Sequence, residues 1–266
     1  MTAIKDIKSY NDNMIKGIED KLFFLNLLPK SRYIFVDFGC ADGTLINTMC
    51  NIESFPNTYI GYDTSDIMIN LAKTKWNWSK KDDVCFTSDW KEVESIISDK
   101  FSKKVLILSS VIHEVYSYAK SQEDIKDFWK IITSGIFDYI VIRDMLPTED
   151  INRSSDENIY KNVIDKIKIP KERVKEFCDI WGNLTNNKSL IHFLLKYRWQ
   201  INWDREVNEN YFPIYLEELL DAFYNYNLDY LKRFRVPFLD EYFKKEFDIT
   251  LEDYTHCKLI FSKYKW

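Results

Sequence analysis

Three groups of residues in this 266-residue chain have the types and spacing that chemistry needs. The first is a glycine turn, Gly39-Cys40-Ala41-Asp42-Gly43, entered from the apolar run 34–38. Glycines at 39 and 43 can take φ > 0 and let a ligand lie against bare backbone. The helix predicted from Thr44 points its unpaired N–H groups at the same spot. Twenty residues after Gly43, Asp63 ends a second apolar run, 57–62, where a carboxylate is placed to accept hydrogen bonds from a ribose diol. The turn and the acid together predict a nucleoside-bearing ligand. The second group is His113-Glu114, in the segment 108–118 that leaves a later apolar run. The third lies between 192 and 211, where His192, Lys196, Tyr197, Arg198, Trp199, Trp203, Arg205, Glu206, Glu209 and Tyr211 crowd aromatic and charged groups together.

Three details choose among nucleoside ligands. The spacing is G-x-A-x-G, not the G-x-G-x-x-G that cradles a pyrophosphate. Asp37 lies two positions before the first glycine, where a carboxylate repels a pyrophosphate and helps to hold an ammonium. Thr87-Ser88-Asp89-Trp90 follows the short apolar run 84–86, offering an acceptor for an adenine amino group and an aromatic to cover the ring. Residues 36–43 resemble the first motif of the class I S-adenosylmethionine-dependent methyltransferases, with Ala41 where that family commonly has glycine. Gly61-Tyr62-Asp63 resembles its second motif and Ser88-Asp89-Trp90 its third, and the resemblance spans roughly residues 30–144. It implies S-adenosylmethionine as cofactor, bound by Asp37, Gly39, Cys40, Ala41, Gly43, Asp63, Thr64, Ser88, Asp89, Trp90 and Ser109.

Methyl transfer is an in-line displacement in which the cofactor brings the leaving group, so the protein binds, orients and, where needed, deprotonates the acceptor. His113 is the candidate general base, because imidazole titrates near neutrality and the resemblance puts this position opposite the methyl; Glu114 is its partner. Tyr116 and Tyr118 are expected to line the acceptor pocket, and Arg143-Asp144, at the tip of a buried strand, to face a ligand or pair with each other. In the third group His192, Arg198 and Trp203 are the candidate substrate-binding residues of a lid that stacks on a planar acceptor or pairs with phosphate. The same aromatics would equally serve as the lid's own core. RNA 3′-end methyltransferases of this fold hold a metal with two histidines and two glutamates. Only His113-Glu114 lies near the fourth strand here, so no metal is expected, His192 with Glu206 or Glu209 being the groups that would complete one in space.

These groups need elements to position them. From residue 33 the pattern alternates strand and helix: strands 33–38, 57–62, 84–86, 104–109 and 139–143, helices 44–50, 66–78, 91–97 and 123–133. Such alternation predicts an α/β fold, a doubly wound and mainly parallel seven-stranded sheet that binds ligands at the carboxyl ends of its strands. A leading helix is expected over 3–29, where the resemblance would let Tyr10 touch the cofactor. Residues 148–225 break the alternation with helices 158–168, 171–181, 189–199 and 216–224, read as a substrate-lid insertion within a single domain 1–266. Strands 229–236 and 255–264 follow, the last antiparallel and near the sheet edge.

Composition narrows the function further. A hydrophobic fraction of 45% with 16% aromatic residues supplies a real core, which excludes a disordered chain. Three of only six glycines, Gly39, Gly43 and Gly61, fall in the predicted site. A net charge of −5 argues against a wholly basic nucleic-acid-binding surface. Five cysteines without a C-x-x-C pair suggest reduced thiols and a cytoplasmic location, and no signal-like or membrane-spanning apolar run is seen. The expected activity is methyl transfer to an oxygen or nitrogen of a small-molecule or nucleotide-like acceptor, with no membrane partner. An RNA or nucleoside acceptor is the alternative substrate, and a catalytically silent methyltransferase-like regulatory subunit the alternative from another class. A nicotinamide-dependent oxidoreductase would need the other glycine spacing.

Overall fold

β-Branched and aromatic residues fill 33–38, and in the computed structural model all six positions of β1 (Tyr33–Phe38) are buried, as expected of a strand covered on both faces. The structure describes residues 17–52, 56–76, 78, 83–98 and 101–263. Most of the expected leading helix, with Tyr10, lies outside these. Its described part is a single turn, α1 (Ile18–Lys21), followed by non-helical turns to Pro29.

After β1 the chain alternates as predicted: α2 (Thr44–Ile52), β2 (Thr58–Tyr62), α3 (Asp66–Lys75), β3 (Val84–Thr87), α4 (Trp90–Ile97) and β4 (Lys103–Ser109). Two helices then precede β5 (Tyr139–Met145): α5 (Ile112–Tyr118), which the sequence pattern did not reveal, and α6 (Gln122–Ile132), started by a Ser121/Asp124 capping box. Further on come α7 (Glu157–Lys166), α8 (Lys171–Trp181), α9 (Asn187–Tyr197), the short α10 (Trp203–Glu206), α11 (Leu216–Ala222), β6 (Asn227–Phe234), α12 (Pro237–Phe247) and β7 (His256–Ser262).

The seven strands form one sheet in the order β3-β2-β1-β4-β5-β7-β6. The pairs from β3 to β5 are parallel, and β7 runs antiparallel between β5 and the edge strand β6. Ile34, Val36 and Phe38 face one core with α4, α6 and α11, whereas Tyr33, Phe35, Tyr59 and Tyr139 face another with α2 and α3. The sheet is therefore wound on both sides, as its period-two burial requires. A third core holds α7 to α10 together with Leu239, Phe243 and Phe247 of α12. The helical insertion, called the lid below only as a label, thus has its own packed interior, to which the unpredicted β6–β7 helix contributes. Helix α11, expected within the insertion, packs on the sheet instead through Leu216 and Leu219. Among the described residues no helix is long and apolar enough to cross a membrane, and Cys40, Cys85, Cys178 and Cys257 are free thiols.

Candidate functional site

The glycine turn is built by left-handed backbone at alternate positions: φ is +79° at Gly39, +46° at Ala41 and +75° at Gly43. The amides of Gly39 and Cys40 both donate to the Tyr62 carbonyl, at 2.8 and 3.0 Å, which ties the turn to the end of β2. Asp63 completes the tie, its Oδ2 accepting from the Ala41 amide at 3.0 Å and its Oδ1 from the Ser65 amide at 2.9 Å. A side chain at Gly39 would put its Cβ 2.7 Å from Val111 Cγ2, and one at Gly61 would meet Phe86 at 2.4 Å. Close approach of backbone, not merely turn geometry, accounts for these glycines.

Asp37 is buried one position before the end of β1. Burial raises its carboxyl to about 7, with nearby Lys21 pulling it down and Asp63 pushing it further up. Lys21, in α1, is itself lowered to about 8 by burial and by the Arg143 guanidinium. Ser109, at the end of β4, presents toward the same space a buried hydroxyl that finds no hydrogen-bond partner among the described residues. Such an orphaned group is costly unless something satisfies it. The bare turn, the two acids and this hydroxyl fit the amino-acid and ribose parts of S-adenosylmethionine.

Beyond the turn the cavity enlarges to about 240 Å³ and is lined by Asp63, His113, Glu114 and Glu209 as well as by the lid. His113 lies in the first turn of α5, buried, with its Nδ1–H donating to Asp144 Oδ1 over 2.6 Å. Asp144 Oδ2 accepts from the amides of Val111 and Ile112 at 2.9 and 2.7 Å, so one carboxylate starts α5 and orients its histidine. Burial disfavours a charged imidazole, but the charge and hydrogen bond of Asp144, aided by Glu209 and Glu114, overcome it and hold His113 at about 9. Across the ring, Nε2 lies 3.6 Å from Glu209 Oε1, which the lid supplies. Burial raises the Glu209 carboxyl, against the pull of His113.

Arg205, from α10, joins the lid to α5. Its Nε donates to Tyr118 Oη at 2.9 Å, and its Nη2 lies 3.2 Å from Glu114 and 4.0 Å from Glu209. His113, Glu114 and Glu209 each bring one ligand-type atom within 4.8 Å of the others. Of the groups expected to complete such a cluster in space, the chain returns Glu209 to His113-Glu114 from 96 positions downstream of the histidine, whereas His192 is not part of it. Arg205 already sets a positive charge against both carboxylates.

Other predicted residues are placed differently. His192 and Lys196, four apart on α9, share a face as expected, but that face grips the lid's own loop 206–211. His192 Nε2 accepts from the Tyr211 amide at 3.2 Å, and the Lys196 ammonium donates to the carbonyls of Glu206 and Glu209. His192 is therefore packed among Phe177, Trp181 and Phe212, not presented to the cavity, and burial keeps it neutral. Trp203 is buried in the same core and donates to Glu176, which corrects its assignment to a substrate-binding surface. Tyr116 packs on the sheet side and accepts from Trp129 Nε1 at 2.9 Å, and Tyr118 is committed to Arg205. Asp144 does not face a ligand: it is 1% exposed and spent on His113 and three amides. Arg143 lines the cavity but pairs with Asp20 at 3.1 Å and Ser110 at 3.2 Å, in place of a pair with Asp144. Asp89 caps α4 through Lys91 N, Ser88 donates to Asp66, and Trp90 packs against Phe38 and Tyr62. These three stand at the end of β3, outside the 240 Å³ lining. Thr64 is exposed beside Asp63. Arg198 does line the cavity. Lys21 escaped the sequence reading because nothing marks it; Glu209 was named there only as a group that would complete a metal cluster in space, unranked among nine neighbours.

No family model matches the sequence, and no curated protein resembles it at a significant level. Solved structures do resemble it. A SAM-dependent methyltransferase from Anabaena variabilis is 12% identical with a TM-score of 0.53, the likeness covering 94% of this chain and 85% of that one. The pyocyanin biosynthetic protein PhzM is 10% identical with a TM-score of 0.49, covering 98% of this chain and 59% of that one. Identity this low speaks to the fold alone. Strand order, antiparallel β7, glycine turn after β1 and acid after β2 agree with it: the chain has the class I S-adenosylmethionine-dependent methyltransferase fold.

Proposed function

We propose that this chain is an S-adenosylmethionine-dependent methyltransferase that methylates an oxygen or nitrogen of a small-molecule or nucleotide-like acceptor enclosed by the lid. The observation that carries this reading is one cavity bordered by the glycine turn, by Asp63 and by the buried His113–Asp144 pair. When bound, S-adenosylmethionine supplies an electrophilic methyl on a sulfonium that leaves as a neutral thioether. Asp63 would take the ribose diol, Asp37 would attract the ammonium, and Ser109 would satisfy its hydroxyl on the amino-acid part.

His113 then removes the acceptor's proton at Nε2, since Nδ1 is committed to Asp144. Held at about 9, the imidazole is neutral in only roughly one molecule in a hundred at pH 7, but that form is a correspondingly stronger base. Glu209 faces Nε2 and stabilises the imidazolium that proton abstraction creates. Because Arg205 and a protonated His113 already set positive charge against Glu114 and Glu209, the cluster is read as an acid–base site without a metal.

Calorimetric titration with S-adenosylmethionine and S-adenosylhomocysteine tests the reading. Saturable binding of both is expected, weakened by about 1–3 kcal/mol in Asp63→Ala through lost charge-assisted hydrogen bonds. Radiolabelled-methyl transfer to a metabolite and nucleotide panel should then proceed equally with and without EDTA. A folded sample that binds neither compound would replace the enzyme by the silent regulatory subunit.

A further inference from the structure

Four basic side chains other than histidine line the cavity: Lys21, Arg143, Arg198 and Arg205. Lys21 lies in the field of Asp37, Arg143 is paired with Asp20, and Arg205 with Glu114 and Tyr118. The acids are similarly matched: Glu209 faces His113, Glu206 accepts from Tyr211, and Asp63 accepts from two amides. Arg198 differs. Among the described residues its guanidinium has no hydrogen bond and no ion pair; its neighbours are two aromatic faces, Trp199 at 4.3 Å and Phe238 at 4.8 Å. The two rings hold it in place without using its N–H groups, because a cation–π contact engages the face of the guanidinium and leaves its edge free. Partial burial disfavours its charge more than the fields of Tyr211, Tyr242 and Glu206 favour it, a cost that an incoming anion would offset.

We propose that Arg198 is the anion anchor of the acceptor site, so that the molecule methylated here carries a carboxylate or phosphate beside a flat or apolar body. This deepens the methyltransferase reading and rests on it for the word acceptor. The planar fork of a free guanidinium matches either oxyanion with two parallel hydrogen bonds. Trp199, Phe238, Leu239 and Val236, all lining the same cavity, supply the apolar contact that the rest of the molecule would take. Arg198 ends α9 and Phe238 belongs to α12, so the anchor forms only because the β6–β7 helix packs onto the lid.

The test uses the whole chain loaded with S-adenosylhomocysteine and three probes of similar shape: benzoate, phenyl phosphate and neutral benzamide. At least one anionic probe should bind tenfold or more tightly than benzamide, and the better of the two distinguishes a carboxylate from a phosphate acceptor. Arg198→Gln should erase that preference while leaving S-adenosylhomocysteine affinity intact, and Arg198→Lys should restore part of it. Equal binding of all three probes to the unmodified protein, or an unchanged preference in a folded Arg198→Gln, would overturn the proposal. Loss of S-adenosylhomocysteine binding by the unmodified protein would instead strike the methyltransferase reading, and the anion preference would then be measured on the unloaded chain with the same two outcomes.

Discussion

At the scale of single residues the site is governed by what surrounds His113. Asp144 and Glu209 bracket the imidazole, and both favour its charged form. A base works only when neutral, so turnover should rise with pH and level off once His113 loses its proton, near pH 9. Glu209→Gln removes one of the carboxylates that hold this value up. Its rate profile should therefore reach the plateau at lower pH, by about one unit, with the cofactor affinity unchanged. Matching pH–rate profiles for the two proteins would show that Glu209 does not tune His113. Strain is stored at the same scale: Ala41 and Ser110 take φ of +46° and +60°, and each stands where the backbone borders the cavity.

At the scale of elements, one short loop determines whether the lid can do its part. Residues 206–211 carry Glu209 and Tyr211, and they are held from beneath by α9 rather than by regular structure. Lys196, fully buried, satisfies two of the loop's carbonyls and lies 3.9 Å from the Tyr211 ring. Lys196→Met keeps the side chain's apolar length but leaves those carbonyls without a donor, which should cost about 2–4 kcal/mol locally. Hydrogen exchange at 205–211 should accelerate while the amides of β1 and β4 keep their protection; uniform acceleration, or none, would rule out a local latch. The i, i+4 spacing of His192 and Lys196 was visible in the sequence. Periodicity states that two residues share a face, not which neighbour that face meets.

At the scale of the molecule, the burial of Asp37 makes folding itself depend on pH. Its folded value, about 7, lies above the ordinary 3.8, so the native state binds this proton more tightly than the unfolded chain does. The resulting stabilisation is present below pH 4 and is lost as pH rises toward 7, on the order of 4 kcal/mol. His113, raised from 6.5 to about 9, acts in the same direction over the interval above. Buried His192 and His256, held neutral, act the other way below about pH 6.5, so the test is a difference: from pH 5 to pH 7.5 the wild type should lose melting temperature relative to Asp37→Asn. Parallel wild-type and Asp37→Asn curves over that range would contradict the assignment. Two cores lie on opposite faces of the sheet, and the third reaches it at Met145 and Phe234, a seam at the ends of β5 and β6. The cavity occupies that seam.

The local order of residues was enough to determine the strand–helix alternation, the glycine turn and the acid after β2. Each rests on interactions between near neighbours: side-chain period, φ > 0 at Gly39 and Gly43, and a carboxylate closing a strand. His113 too could be singled out, because few residue types titrate near neutrality. Tertiary structure alone decided its partners, since Asp144 reaches it across a strand pairing and Glu209 across a folded lid. It also decided which of the aromatic and charged residues of 192–211 face the cavity. His192 and Trp203 turned inward because the lid must bury a core of its own. Arg198 was left facing outward, against a helix from another part of the chain, by the same packing.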